Sequence, residues 1–233
     1  MRIAEVYSSL QGEGLLTGTP SVFVRASGCN LRCWFCDTPY TSWEPEGGDW
    51  PVEEIVAEVE RLADPAKTVR HAVITGGEPM LFAEMLPLCD RLHAGGWHIT
   101  IETAGTLFLP VQCDLMSISP KLANSTPPLE RAGKWHDRHD RTRHQPQVIR
   151  RLIADYGYQL KFVIDTRADL SDVDAWLREF PEVRRDRVLL MPQGVDSAAL
   201  TAISEWLAPY CREQGFVFCP RMHIEWYGAQ RGT

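Results

Sequence analysis

The sequence predicts an α/β fold: an incomplete β/α barrel of six or seven mostly parallel strands. Three observations predict it. Short runs rich in Val and Ile recur along the chain, amphipathic helical faces lie between them, and the strands are fewer than the eight of a full barrel. In order, the strand candidates are Ser21–Ala26, His71–Thr75, His98–Thr103, Leu115–Ser119, Gln159–Ile164, Val188–Pro192 and Phe216–Cys219. Several are almost continuously apolar, as suits strands covered on both faces of a parallel sheet. Between them, Val52–Leu62 places Val52, Ile55, Val56, Val59 and Leu62 on one helical face. Similar faces appear in Glu84–His93, Val148–Tyr156, Val173–Phe180 and Leu200–Cys211. Gly95-Gly96 and Gly215 stand where helices stop.

Two stretches break this rhythm. Trp43–Trp50 is a Gly/Pro loop, and Leu122–Gln147 is a polar excursion rich in Arg and His. The second reads as a solvated excursion, or else as a docking patch for an acidic partner or a flap over the site. One domain spanning residues 1–233 is expected, and functional residues should gather at the carboxyl ends of the strands.

Composition narrows the function classes. The 233 residues are 44% hydrophobic and 24% charged, which is globular usage. A net charge of −7 leaves no global basic field, so no nucleic-acid partner is expected. No apolar run reaches the roughly 18 residues of a membrane span. The first residues lack the apolar core of a secretory signal, and a cytoplasmic location is expected.

Seven cysteines are odd in number, which argues against a disulfide framework. Cys89, Cys113, Cys211 and Cys219 are scattered in mostly apolar surroundings and read as small buried hydrophobes. Cys29, Cys33 and Cys36 fall together in a polar loop just after the first strong strand. Three local thiolates without a nearby His fall short of a structural zinc site. They suit three irons of a 4Fe–4S cluster, with the fourth iron left open for a substrate ligand. An electron-transfer cluster would use four cysteines.

The CxxxCxxC spacing, with Phe35 before its last Cys, resembles the signature of radical S-adenosylmethionine (SAM) enzymes. Thr75-Gly76-Gly77-Glu78-Pro79 resembles their GGEP motif. The resemblance implies a 4Fe–4S cluster on Cys29, Cys33 and Cys36, with SAM chelating the open iron and yielding a 5′-deoxyadenosyl radical. Further motifs are Leu10-Gln11-Gly12-Glu13-Gly14, Arg25, Asp37-Thr38, Ser119-Pro120-Lys121 and Met191-Pro192-Gln193-Gly194. Together they resemble the 7-carboxy-7-deazaguanine synthase family, from about Tyr7 to Gly228.

That resemblance implies a lyase of 7-deazapurine (queuosine) biosynthesis. It converts 6-carboxy-5,6,7,8-tetrahydropterin to 7-carboxy-7-deazaguanine with loss of ammonia, regenerates SAM and uses Mg²⁺. It also implies site roles. Phe35, Asp37, Gly77, Ser119, Pro120, Lys121 and Gln193 are expected along SAM. Leu10, Gln11, Gly12, Arg25 and Thr75 are expected around the pterin, with Arg25 on its carboxylate as a bidentate fork. Thr38 is expected on magnesium, a hard ion that takes few protein ligands.

Blander readings are kept beside these. Arg25 pairs with a structural carboxylate, Lys121 is a solvated charge, and Thr38 is a helix N-cap. Glu13 and Glu102 orient ligands or cap loops. Ala104 stands where many relatives carry Asn, and the tail Glu225–Thr233 folds back over the substrate or does not. A homodimer and a flavodoxin or ferredoxin reductant are expected from the family. Two rival functions stay open: an activating enzyme that installs a glycyl radical on a partner protein, and a non-catalytic iron–sulfur electron-transfer module.

Overall fold

The computed structural model describes residues 1–63 and 70–233. Strands β1 (Arg2–Leu10), β2 (Pro20–Ala26), β3 (Gly48–Asp49), β4 (His71–Gly76), β5 (His98–Thr103), β6 (Leu115–Ile118), β7 (Tyr158–Ile164), β8 (Val188–Pro192) and β9 (Val217–Phe218) form one open sheet. Its order is β3-β1-β2-β4-β5-β6-β7-β8-β9. From β2 to β9 every neighbouring pair is parallel. Those seven strands are the seven expected from the apolar runs.

The sheet also carries two strands that the expected six or seven omit. β1 pairs antiparallel with β2, and β3 pairs antiparallel with β1. β1 offers no continuous apolar run, because it lies at the sheet's margin and most of its residues are only half-buried. β3 has only two residues, both exposed, within the Gly/Pro loop. Gly47 before it has φ +89°, and a Cβ there would stand 2.0 Å from the Ile3 carbonyl oxygen, so only glycine lets this edge close.

The helices are α1 (Pro39–Ser42), α2 (Val52–Leu62), α3 (Met85–Ala94), α4 (Leu129–Ala132), α5 (Trp135–Thr142), α6 (Pro146–Asp155), α7 (Asp169–Glu179), α8 (Ser197–Gln214) and α9 (Met222–Tyr227). Crossovers through α2, α3, α6, α7 and α8 bury apolar faces on one side of the sheet. Ile55, Val59, Leu88, Leu92, Leu152 and Leu207 are fully covered there. At a typical 1.5–3 kcal/mol per buried side chain, these faces fix the helices to the sheet. Gly215 ends α8 in the left-handed conformation, with φ +73°. Among the described residues, no helix is long and apolar enough to cross a membrane.

The opposite face of the sheet is polar near the carboxyl ends of the strands. Arg25 on β2 is in register with Thr75 on β4. Glu102 on β5 is in register with Ser117 on β6, and Ser117 with Gln159 on β7. The Thr75 hydroxyl donates to Glu102 Oε2 at 2.8 Å, and the Gln159 amide donates to Ser117 Oγ at 2.8 Å. One row of polar side chains thus crosses five strands.

Nearer the amino ends, His71 is buried between Ser21 Oγ and Thr100 Oγ1, each 2.8 Å from a ring nitrogen. Ser21 gives its own proton to the Thr19 carbonyl, so His71 Nδ1 donates and Nε2 accepts. Burial, with His98 beside it, pushes the imidazole down to about 4. The unfolded chain binds that proton near the ordinary value of 6.5, and the folded chain does not until about 4. Between these values the unfolded state holds more protons, so stability falls as pH falls. Urea unfolding across this window should show the falling midpoint, and His71→Gln should make the fall shallower, leaving the part due to His139, whose imidazole burial likewise pushes down to about 4. An unchanged slope in the variant would assign the effect to other groups.

Candidate active site

A cavity of about 350 Å³ opens at the carboxyl ends of the strands. Cys29, Cys33 and Cys36 line one part of it. Leu10, Gln11, Gly12, Arg25, Phe35, Asp37, Thr38, Thr75, Gly77, Ser119, Lys121 and Gln193 line the rest, along with residues the sequence did not single out. Of the expected site residues, only Pro120 lies outside the lining.

The cysteine loop runs between β2 and α1, and its three thiols are free of disulfides. Burial pushes the Cys29 and Cys33 thiols up to about 12 and also raises Cys36. Left to themselves they are neutral and poor nucleophiles, whereas a thiol ligated to a metal is deprotonated outright. Among the described residues no three His, Cys, Asp or Glu side chains gather closely enough for a single metal ion. Three soft donors spread along one cavity wall suit an iron–sulfur cluster instead, where each thiol takes its own iron and one iron is left open. The other four cysteines lie outside the lining, and Cys89, Cys211 and Cys219 are buried.

The two glycines at the end of β4, Gly76 and Gly77, are required by packing. A Cβ on Gly77 would meet the Gly28 carbonyl oxygen at 2.1 Å, and one on Gly76 would meet the Ala26 carbonyl oxygen at 2.0 Å. Backbone bonds from Gly77 to Ala26 and from Glu78 to Gly28 then tie this turn to the cysteine loop. Glu78 does not line the cavity. It is fully buried, and accepts from Met80 N, Thr103 Oγ1 and Ala104 N. The turn is therefore built against protein backbone as well as facing the cavity.

Glu13 and Glu102 cap no loop; both belong to a buried ion network. Lys161 Nζ lies 2.8 Å from Glu13 and 3.3 Å from Glu102. Arg221 Nε lies 3.1 Å from Glu13, and its guanidinium also pairs with Asp37 and donates to the Gly194 carbonyl. Burial alone would raise the Glu13 carboxyl, but Lys161, Arg221 and the nearby His223 hold it well below the usual carboxylate range. Lys161 and Arg221 escaped the sequence reading. The only signal for Lys161 is one charge inside the apolar run of β7, and Arg221 sits between β9 and α9 without a pattern.

Arg25 has structural partners. Its Nε lies 2.7 Å from Glu5, and one terminal nitrogen donates to the Tyr7 hydroxyl at 2.6 Å. Among the described residues, the other terminal nitrogen has no hydrogen-bond partner. Lys121 is half-buried and donates to Ser119 Oγ at 2.6 Å, which sets aside the solvated-charge reading. Thr38 occupies the N-cap position of α1, yet its side chain makes no capping bond, and it lines the cavity.

The excursion at 122–147 contributes no residue to the lining, so it is no flap over the cavity. It folds into α4, α5 and the start of α6, packed on the cysteine loop. The tail does reach the cavity. Gln230, Arg231 and Thr233 line it, and Arg231 pairs with Glu5 and Glu46 above the Tyr40 ring.

Known proteins resemble this chain in sequence and fold. Residues 23–123 match the model of the radical SAM superfamily. The chain is 44% identical over 232 residues to the 7-carboxy-7-deazaguanine synthase of Rhodopirellula baltica, covering 99% of this chain and 88% of the relative. It is 44% identical to that of Halobacterium salinarum, covering 95% and 88%. The crystal structure of QueE from Escherichia coli superposes with a TM-score of 0.70 at 25% identity, covering 95% of this chain and 94% of that one. SuiB of Streptococcus suis, bound to S-adenosylmethionine, shares the fold at a TM-score of 0.56 and 14% identity, covering 82% of this chain and 48% of that one.

Lys161→Met should leave two carboxylates without their shared cation. Breaking a buried ion pair this way costs about 3–5 kcal/mol. Urea unfolding of the variant at neutral pH should show a loss of that order. A loss below about 1 kcal/mol would mean that Glu13 and Glu102 find compensation elsewhere.

Proposed function

The chain belongs to the 7-carboxy-7-deazaguanine synthase family of the radical SAM superfamily, and from that premise we propose that it converts 6-carboxy-5,6,7,8-tetrahydropterin to 7-carboxy-7-deazaguanine. The product differs from the substrate by one ammonia, so the net change is an elimination with ring contraction and no net oxidation. The step belongs to 7-deazapurine (queuosine) biosynthesis. The observation that carries the reading is a single cavity with three thiols on one side and the polar row of the sheet on the other.

When bound, the 4Fe–4S cluster and SAM supply a reducing electron and a carbon radical able to remove a hydrogen atom. Cys29, Cys33 and Cys36 hold the cluster. Phe35, Asp37, Gly77, Ser119, Lys121 and Gln193 lie along SAM, and Pro120 shapes the turn that carries Ser119 and Lys121. Leu10, Gln11, Gly12 and Thr75 receive the pterin. Arg25, steadied by Glu5 and Tyr7, turns its remaining edge to the substrate carboxylate. Glu102 accepts from Thr75, Gln11 and Lys161, so both its oxygens are oriented. Positioning of this kind decides which hydrogen faces the radical.

A cavity of about 350 Å³ is of small-molecule size, which favours the pterin over a protein loop and weighs against the activating-enzyme reading. The chain works as one domain in the cytoplasm, as a homodimer, with flavodoxin or ferredoxin as reductant. Thr38, whose hydroxyl makes no capping bond, would hold Mg²⁺ at the cavity, and the ion would help orient the substrate.

Anaerobic incubation of the iron-loaded protein with SAM, dithionite and the tetrahydropterin should yield a product lighter by one ammonia. Cys29→Ala, Cys33→Ala or Cys36→Ala should abolish it, while Cys89→Ala should retain iron. Cleavage of SAM without conversion of the pterin would overturn the substrate assignment. Removing Mg²⁺ with a chelator should slow turnover without changing the cluster spectrum. Thr38→Ala should raise the Mg²⁺ concentration required, and Thr38→Ser should largely preserve it. Full activity in the metal-stripped protein would remove magnesium from the account.

A further inference from the structure

We propose that the polar excursion is a clamp on the cysteine loop, with His139 as its positioning residue. The proposal rests on reading the three thiols as cluster ligands. The loop lies outside the sheet ladder, so something else must satisfy and fix its backbone. His139 on α5 is fully buried and does not line the cavity. Its Nδ1 accepts from the Arg32 backbone N–H at 3.0 Å, between Cys29 and Cys33. Its Nε2 lies 3.0 Å from Ser125 Oγ, which gives its own proton to the Leu122 carbonyl. The ring is therefore neutral, with its proton on Nε2 pointing into the excursion and its acceptor pointing at the loop.

Other contacts repeat the pattern. The Trp34 N–H donates to the Ser125 carbonyl at 3.2 Å, and its indole N–H donates to the Asn124 carbonyl at 2.6 Å. Arg131 donates to the Trp34 carbonyl at 3.3 Å. The Arg32 guanidinium lies 3.9 Å from the centre of the Trp135 ring while donating to the Cys29 and Leu31 carbonyls. Asn124 anchors the excursion to the sheet through the Val163 carbonyl at 3.1 Å. The excursion thus holds the spacers between the three ligands and leaves the thiols free to face the cavity. It sets the loop's shape before iron arrives.

Two substitutions separate this from a merely structural role. His139→Asn keeps an acceptor where Nδ1 stands but loses the reach to Ser125. His139→Leu keeps apolar bulk and loses both. Amide exchange is read on residues 30–35 of the metal-free full-length protein, and iron loss to a chelator on the reconstituted protein. In His139→Leu, exchange of the Arg32 and Trp34 amides should rise about tenfold, the scale of one lost hydrogen bond. Iron should leave several-fold faster. His139→Asn should restore both toward wild type, and exchange in β4 and β5 should stay unchanged in either variant. Wild-type exchange and iron retention in His139→Leu would overturn the clamp, as would an Asn variant as defective as the Leu variant. If His139→Leu does not fold, Trp135→Leu tests the same clamp through Arg32; faster exchange at Arg32 supports it and unchanged exchange overturns it. A wild-type protein that takes up no iron would contradict the ligand reading, while exchange in the metal-free chain would still judge the clamp.

Discussion

The structure depends on keeping charge inside the mouth of an apolar sheet. Lys161 rises from β7 among strands whose other residues are almost wholly covered, and an unpaired ammonium there would be expensive. Glu102 from β5 and Glu13 from the segment after β1 compensate it. Arg221 extends the compensation to Asp37 beside the cluster cysteines. Five side chains from distant parts of the sequence are thereby locked around one point. This network fixes the approach of the Gln11-Gly12 segment to the sheet. A Cβ on Gly12 would strike the His223 ring, so the N-terminal segment and the helix near the tail close on each other there.

The same economy is visible on the cluster side. A loop carrying three ligands has little backbone pairing of its own, so its neighbours hold it. The two glycines at the end of β4 press against its first turn, and Trp43 donates to the Cys33 carbonyl at 3.0 Å from the other flank. The 122–147 segment, polar in composition, turns Arg131, Trp135 and His139 onto this loop, while its other Arg and His side chains face solvent or bond elsewhere.

Much of the fold was legible in the sequence because parallel strands buried on both faces write themselves as continuous apolar runs; all seven such runs are strands. β1 was not, since a half-buried strand paired antiparallel at the margin mixes polar and apolar residues. The cysteine loop, the glycine turn and Arg25 were legible as local patterns. Lys161, Arg221 and the clamp role of His139 were not, because each acts through a partner far away in sequence: 59 positions for Lys161–Glu102, 107 for His139–Arg32 and 208 for Arg221–Glu13. A usable signal did exist. Arg25, Thr75, Glu102 and Ser117 each stand at the penultimate position of their strand, and Lys161 interrupts the middle of β7, which is how a polar floor on one face of an apolar sheet is written.

That floor is the central claim: the substrate lies on the inner face of the sheet, between the polar row and the cysteine loop. The most direct measurement is an anaerobic crystal structure of the iron-loaded protein with SAM and the tetrahydropterin. The account predicts the pterin ring over Thr75 and Glu102, its edge at Gln11, its carboxylate on Arg25, and SAM between it and Cys29, Cys33 and Cys36. A pterin bound outside this cavity, or one whose carboxylate lies away from Arg25 with the Glu5 and Tyr7 contacts intact, would contradict it.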